Sequence, residues 1–154
     1  MSALNMMTRI ATVAASIAIS LSLPTLATAE CRGSQNLPSQ QFFVSFSQNS
    51  FEISESEQVK LNQWISKINS RYPIQNWIDV IGSASKNEVN YDLLARKRAT
   101  EVAKIAIGNG LINAPFQIQT EIYSASSIAE ATSDAREVTV QVSPGCPDNC
   151  CDGM

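Results

Sequence analysis

The chain has 154 residues, a formal net charge of −3 and no histidine. The acidic balance argues against nucleic acid or an anionic lipid surface as the main partner. Without histidine, Ser-His-Asp, Cys-His and histidine-metal catalysis are all excluded.

Residues 1–29 have the pattern of a secretory signal peptide. Arg9 precedes an uncharged apolar stretch, Ile10 to Leu23, which is too short for a typical membrane span. Ala27-Thr28-Ala29 then supplies the small residues that signal peptidase requires. We therefore expect cleavage after Ala29, export, and no transmembrane segment in the mature chain. An uncleaved membrane anchor is the alternative.

The cysteines all lie in the part of the chain that would be exported: Cys31, Cys146, Cys150 and Cys151. An even number of cysteines in an oxidising compartment indicates disulfides, here with three possible pairings. Such bonds would tie an N-terminal linker, residues 30–40, to a cysteine-rich tail, residues 144–154. A thiolate metal site in the tail is the weaker alternative, because its crowded spacing is unlike that of zinc knuckles.

The domain between these segments, residues 41–143, opens with an alternating strand pattern over Phe42 to Phe46. Ser54-Glu55-Ser56-Glu57 is a capping box, in which the serine hydroxyl accepts from the Glu57 amide and the glutamate reaches back to the cap. A helix should begin there and end before Pro73. Its apolar stripe would be Leu61, Trp64, Ile65 and Ile68.

The second half of the domain predicts one more helix and three strands. The run Trp77 to Gly82 is typical of a short strand with both faces buried, apart from Asp79. Asn90 is expected to cap a helix of about 18 residues that stops at Gly108-Asn109-Gly110. Half-exposed strands at 116–123 and 137–142 follow, separated by a long polar loop. The order predicts an α+β sandwich with two helices on one face of a mixed four-stranded sheet.

Four stretches in order carry a resemblance to a known family. Val44 to Leu61 is similar to its opening strand, Phe-rich turn and capped helix, and Trp77 to Gly82 to its second strand. Leu94-Ala95-Arg96-Lys97-Arg98-Ala99 is similar to its Leu-Ser-x-Arg-Arg-Ala motif, and 135–140 to its closing strand. Together they resemble the OmpA-like C-terminal domain, which binds peptidoglycan non-covalently. The resemblance implies a βαβαββ fold over 41–143 and a place in the periplasm or at the outer membrane.

In that family an aspartate after the second strand pairs with the ammonium group of diaminopimelate in the peptidoglycan stem peptide. An arginine of the helix motif takes a carboxylate of the same ligand. The resemblance places this arginine at Arg98, whereas the acidic position falls on Ser85 or Ser83, depending on where the gap in the loop is placed. Losing one member of a desolvated charge pair costs roughly 2–5 kcal/mol of binding, so we expect weak binding.

Other residues near the loop complete the candidate site. Glu88 or Asp92 could substitute for the missing acid, although Asp92 is better explained by the helix N-terminus. The family's asparagine before the helix motif falls on Tyr91, next to Asn90. The candidate ligand-binding residues are therefore Arg98, Ser85, Ser83, Asn90, Tyr91 and Glu88.

A second hypothesis keeps the same fold without cell-wall binding. The chain would then be a disulfide-stapled envelope scaffold or a protein-interaction domain, and Arg98 would be a surface residue paired with Glu101 or Asp92. No phosphate-binding loop and no paired carboxylates at a recognisable spacing are present, so the sequence predicts no enzyme, no cofactor and no metal site.

Overall fold

A computed structural model describes residues 31–126 and 134–151. Its regular elements are β1 (Gln40–Ser45), α1 (Glu55–Arg71), β2 (Gln75–Ser85), α2 (Tyr91–Gly108), β3 (Phe116–Tyr123) and β4 (Glu137–Pro144). Short 3-10 helices cover Asp134–Arg136 and Pro147–Asn149. The predicted signal peptide, most of the polar loop after β3 and the last residues of the tail lie outside the described residues.

The sheet has the strand order β1-β4-β2-β3, so the last strand in sequence lies in its interior. β4 runs antiparallel to both of its neighbours, whereas β2 and β3 are parallel and are connected by α2. Both helices contribute buried residues to one core, which they form with the sheet. Every second residue of β4 is fully buried in this core: Val138, Val140 and Val142. The predicted α+β fold with a mixed four-stranded sheet is confirmed. Neither helix in the described ranges is long and apolar enough to cross a membrane.

Helix α1 begins where the capping box predicts. Ser54 Oγ accepts a hydrogen bond from the Glu57 amide at 3.3 Å. The reciprocal half of the box is replaced by other contacts, because the Glu57 carboxylate accepts from the Ser45 amide at 3.3 Å and from Lys60 Nζ at 2.7 Å. Glu57 thereby links the first turn of α1 to the end of β1.

The connection between β2 and α2 differs from the prediction. β2 continues past Gly82 to Ser85, because β3 pairs with it in parallel as far as Ser85 and Tyr123. Ser83 and Ser85 therefore lie in the strand and not in the predicted loop. Asn90 has a left-handed backbone, with φ of 51°, and its side chain makes no capping hydrogen bond. The prediction of a side-chain N-cap at Asn90 is wrong, since this residue instead serves the turn into α2, a role for which Asn suits the left-handed region.

One face of the sheet is not covered by the helices. Trp77, the first residue of the run that we expected to be buried on both faces, is 54% exposed because it lies on this open face. Polar pairs connect strands there: Gln41 donates to Gln141 at 2.6 Å, and Gln119 donates to Asp79 at 3.3 Å. The prediction that both faces of the second strand are buried is therefore wrong.

Two disulfides hold the ends of the chain together. Cys31 is bonded to Cys150, and Cys146 to Cys151. The N-terminal arm is also attached through backbone bridges, Ser34 with Cys151 and Asn36 with Gly145. The structure thus selects one of the three pairings that the sequence leaves open, and the arm before β1 lies against the tail.

At Gly82 the backbone of β2 lies directly against α2. A Cβ added to Gly82 would collide with the carbonyl oxygen of Ala95 and lie 2.9 Å from the Cβ of Ala99. We expect Gly82→Ala to lower the free energy of unfolding by about 1–3 kcal/mol, because the helix would have to shift away from the strand. Urea denaturation would measure this loss.

Gly108→Ala is the matched control for this substitution. Nothing lies within 4 Å of a Cβ added to Gly108, the last residue of α2. Alanine there should leave stability unchanged or raise it by up to about 1 kcal/mol through helix propensity. Equal free energies of unfolding for the two variants would contradict the close approach at Gly82.

Candidate functional site

Arg98 lies on the buried face of α2 and is 0% exposed. Its sequence neighbours Arg96 and Lys97 are exposed to solvent. The predicted alternative, a surface arginine paired with Glu101 or Asp92, is wrong, because Glu101 pairs with Lys104 and the Arg98 guanidinium lies in the interior. The helix motif thus contributes one buried cation and two solvated ones.

The partner of Arg98 is Glu88, from the turn between β2 and α2. Arg98 Nη2 donates to Glu88 Oε1 at 2.6 Å, and Nη1 donates to Oε2 at 2.9 Å. Both side chains are 0% exposed. This is the two-pronged geometry in which a guanidinium binds a carboxylate most strongly.

Backbone carbonyl groups accept the remaining hydrogen bonds of the guanidinium. Arg98 Nε donates to Ser50 O at 2.8 Å, Nη1 to Ser83 O at 2.9 Å and Nη2 to Ser47 O at 3.1 Å. All five N–H groups of the side chain therefore have acceptors. The guanidinium carbon also lies 5.3 Å from the centre of the Phe46 ring.

The Glu88 carboxylate is equally well satisfied. Oε1 accepts from the Asn49 amide at 2.8 Å and Oε2 accepts from the Ser85 amide at 3.1 Å, in addition to the two bonds from Arg98. Burial by itself raises the pKa of Glu88, but the hydrogen bonds from Arg98 and the two amides outweigh it and hold the pKa below its ordinary value. The carboxylate is therefore ionised at neutral pH.

The predicted serines contribute backbone groups to this cluster. Ser83 supplies its carbonyl oxygen to Arg98, and Ser85 supplies its amide to Glu88. The Ser85 hydroxyl accepts from the Asn87 amide at 3.1 Å. The side chain of Ser83 lines a different pocket, on the open face of the sheet with Tyr123. Every donor of the Arg98 guanidinium is bonded to another group, and neither serine hydroxyl is among its acceptors.

The other predicted residues meet at an opening beside the ion pair. A pocket of about 490 Å³ is lined by Glu88, Asn90, Tyr91, Asp92 and Leu93. Asn90 is exposed and Tyr91 is half-buried, while Glu88 is buried, with 4% of its surface exposed. The structure thus brings Glu88, Asn90 and Tyr91 together at this pocket, whereas Arg98 is bonded to Glu88 but does not line the pocket.

The turn after β1 was missed by the sequence reasoning. Ser47, Asn49 and Ser50 contact the pair only through backbone carbonyl and amide groups. Any residue type offers such groups, so no side-chain pattern could have identified them. The one usable signal was Asn49, whose left-handed φ of 57° suits asparagine and whose side-chain oxygen accepts from the Val89 amide at 2.8 Å.

No protein-family model matches the chain, and no curated protein matches its sequence. Solved structures do match. The OmpA-like domain of FopA1 from Francisella tularensis is 19% identical with a TM-score of 0.51, over 70% of this chain and 73% of that one. The cell wall anchor of the T6SS from Pseudomonas aeruginosa is 17% identical with a TM-score of 0.55, over 69% and 82%. The periplasmic domain of Helicobacter pylori MotB is 19% identical with a TM-score of 0.55, over 71% and 75%. The chain therefore has the fold of OmpA-like domains.

Proposed function

We propose that this protein is an exported cell-envelope domain that binds peptidoglycan non-covalently and weakly, through the diaminopimelate of the stem peptide. The observation that carries the proposal is the pairing of Arg98, the residue at which the resemblance puts the ligand-binding arginine, with the carboxylate of Glu88, which lines a pocket. The fold shared with a cell wall anchor from Pseudomonas aeruginosa supports the same role.

The chemistry of the ligand fits the groups around the pocket. A zwitterionic amino acid needs one fixed charge of each sign, and the planar fork of Arg98 would take the ligand's carboxylate in exchange for that of Glu88. Ser83 and Ser85 bring no negative charge for the ammonium group, so binding is expected to be weaker than with an aspartate there. Asp92 is an exposed acid that lines the pocket and is available to that group.

Sedimentation with purified sacculi tests the proposal. The chain, exported and purified with its disulfides formed, should pellet with sacculi more than an unrelated acidic protein does. Tyr91→Ala should reduce the pelleted fraction several-fold because Tyr91 lines the pocket. Lys104→Ala is the matched control on the same helix, since Lys104 is exposed and pairs only locally with Glu101. Equal pelleting of the two variants would reject the pocket as the binding site.

One observation favours a second candidate, the disulfide-stapled scaffold or protein-interaction domain. Arg98 has no N–H group free for a ligand, because Glu88 and three backbone carbonyls accept all of them. The Cys31–Cys150 disulfide links the N-terminal arm covalently to the C-terminal tail, as a stapled scaffold requires. If neither the wild type nor any variant pelleted with sacculi, the scaffold would be the remaining function.

A further inference from the structure

We infer that Glu88 is a tethered occupant of a carboxylate-binding site, and that an external carboxylate enters this site by displacing it. The ligand named here, a zwitterionic amino acid, rests on the proposed function. The site itself rests on its own geometry, which can be tested without peptidoglycan.

The Arg98 donors that hold the Glu88 carboxylate are anchored by groups other than Glu88. Arg98 remains anchored by the carbonyl oxygens of Ser47, Ser50 and Ser83, which take three of its five N–H groups. The two others point at the carboxylate, and so do the amides of Asn49 and Ser85. These donors come from α2, from the turn after β1 and from the end of β2. A preformed set of four donors would therefore remain if Glu88 left.

Glu88 is carried by a short connection whose neighbouring residues are exposed to solvent. It lies between the end of β2 at Ser85 and the start of α2 at Tyr91, and its neighbours Asn87 and Val89 are exposed. Three hydrogen bonds close the turn on itself and on Asn49: the Glu88 amide to Ser85 O, the Val89 amide to Asn49 Oδ1 and the Asn87 amide to Ser85 Oγ. Two more hold it to the end of β3 and the segment just after it, from the Lys86 amide to Tyr123 O and from Asn87 Nδ2 to Ala125 O. Displacement of Glu88 requires this turn to move and its carboxylate to enter the adjoining pocket.

The charge balance defines the kind of ligand that can exchange with Glu88. An external carboxylate leaves Arg98 neutralised but releases the Glu88 carboxylate into the pocket, beside Asp92. Two acids then face the bound ligand, which favours a ligand with an ammonium group near its carboxylate. The displaced Glu88 would thereby supply the negative charge that Ser83 and Ser85 lack. A zwitterion should exchange better than a simple monocarboxylate.

Chemical rescue of Glu88→Ala tests the site. This variant removes the tethered carboxylate and should melt at a lower temperature than the wild type. Sodium acetate should raise its melting temperature by about 5 °C once acetate exceeds its dissociation constant roughly tenfold. Sodium chloride at the same ionic strength should not reproduce the effect, and acetate should leave the wild type nearly unchanged. A folded Glu88→Ala that acetate stabilises no more than chloride would overturn the inference.

If Glu88→Ala does not fold, titration of the wild type with ligand, followed by NMR, tests the inference instead. Diaminopimelate should shift the backbone amide resonances of Asn49 and Ser85 and the Nε–H resonance of Arg98, and acetate should do so at higher concentration. Absence of these shifts would then overturn the inference. Rescue or shifts without sacculus binding would reject the proposed function while supporting the carboxylate site, so the two failures are distinguishable.

Discussion

Arg98→Ala is expected to lower the free energy of unfolding by about 3–5 kcal/mol, the loss typical of breaking a buried ion pair. The substitution leaves the Glu88 carboxylate buried without its cation and removes the donors from three backbone carbonyls. Urea denaturation with the disulfides intact would measure the change. Arg96→Ala, an exposed arginine on the same helix, should change it by no more than about 0.5 kcal/mol.

Replacing both charged residues by apolar ones should not restore the stability. In some proteins a buried ion pair can be exchanged for apolar side chains at little loss. Here Arg98→Met combined with Glu88→Leu would also leave the carbonyls of Ser47, Ser50 and Ser83 and the amides of Asn49 and Ser85 without these partners. A double variant as stable as the wild type would show that water replaces the pair readily.

The same network has a defined pH dependence. The pKa of Glu88 is lower in the folded protein than in the unfolded chain. The stabilisation of the fold by the ionised Glu88 carboxylate is therefore complete above the unfolded pKa and is lost as pH falls through the folded pKa. The difference in unfolding free energy between the wild type and Glu88→Gln should therefore be largest at neutral pH and shrink in acid. A difference that stayed constant down to the acid transition would contradict the lowered pKa.

Removing the Cys31–Cys150 disulfide is expected to have the second large effect. The bond joins residues 119 apart in sequence, and the loop-entropy model gives about 5 kcal/mol for a loop of that size. In the folded protein the arm also pairs with the tail through the backbone bridges of Ser34 and Asn36. The disulfide therefore joins two segments that already lie side by side. Cys31→Ser/Cys150→Ser should thus be much less stable than the wild type in urea.

The second disulfide provides the matched comparison. Cys146 and Cys151 are only 5 residues apart, for which the same model gives about 2 kcal/mol. Cys146→Ser/Cys151→Ser should therefore lose less stability than Cys31→Ser/Cys150→Ser. A larger loss of stability in Cys146→Ser/Cys151→Ser would mean that the tail's own disulfide stabilises the protein more than the attachment of the arm does.

Short sequence patterns were enough to predict the helices and strands of this fold. The site was harder to predict, because its residues are far apart in the sequence. Ser54 and Pro73 predicted where α1 begins and ends, because each affects only the helical turn next to it. The extent of β2 depended on β3, which no local pattern of β2 encodes.

The same limit applies to Arg98. Its position in the helix motif was identified, but its burial depends on carbonyl groups at Ser47 and Ser50, which lie 51 and 48 positions earlier in the chain. Glu88 was proposed as a substitute acceptor for a ligand's ammonium group, whereas in the structure it is itself bound by the arginine. Charge counting along a sequence cannot distinguish these two arrangements, because both place an acid and a base near one loop.

The strand order has a consequence for how this chain matures. β1 is made first but forms its ladder only with β4, the last strand, which also separates β1 from β2. A growing chain can complete β2, α2 and β3 as a unit, while β1 and the arm carrying Cys31 must wait. The sheet closes only when β4 inserts between β1 and β2, and only then does Cys150 reach Cys31. Truncation anywhere before β4 should thus release the entire N-terminal strand and leave Cys31 exposed to foreign thiols.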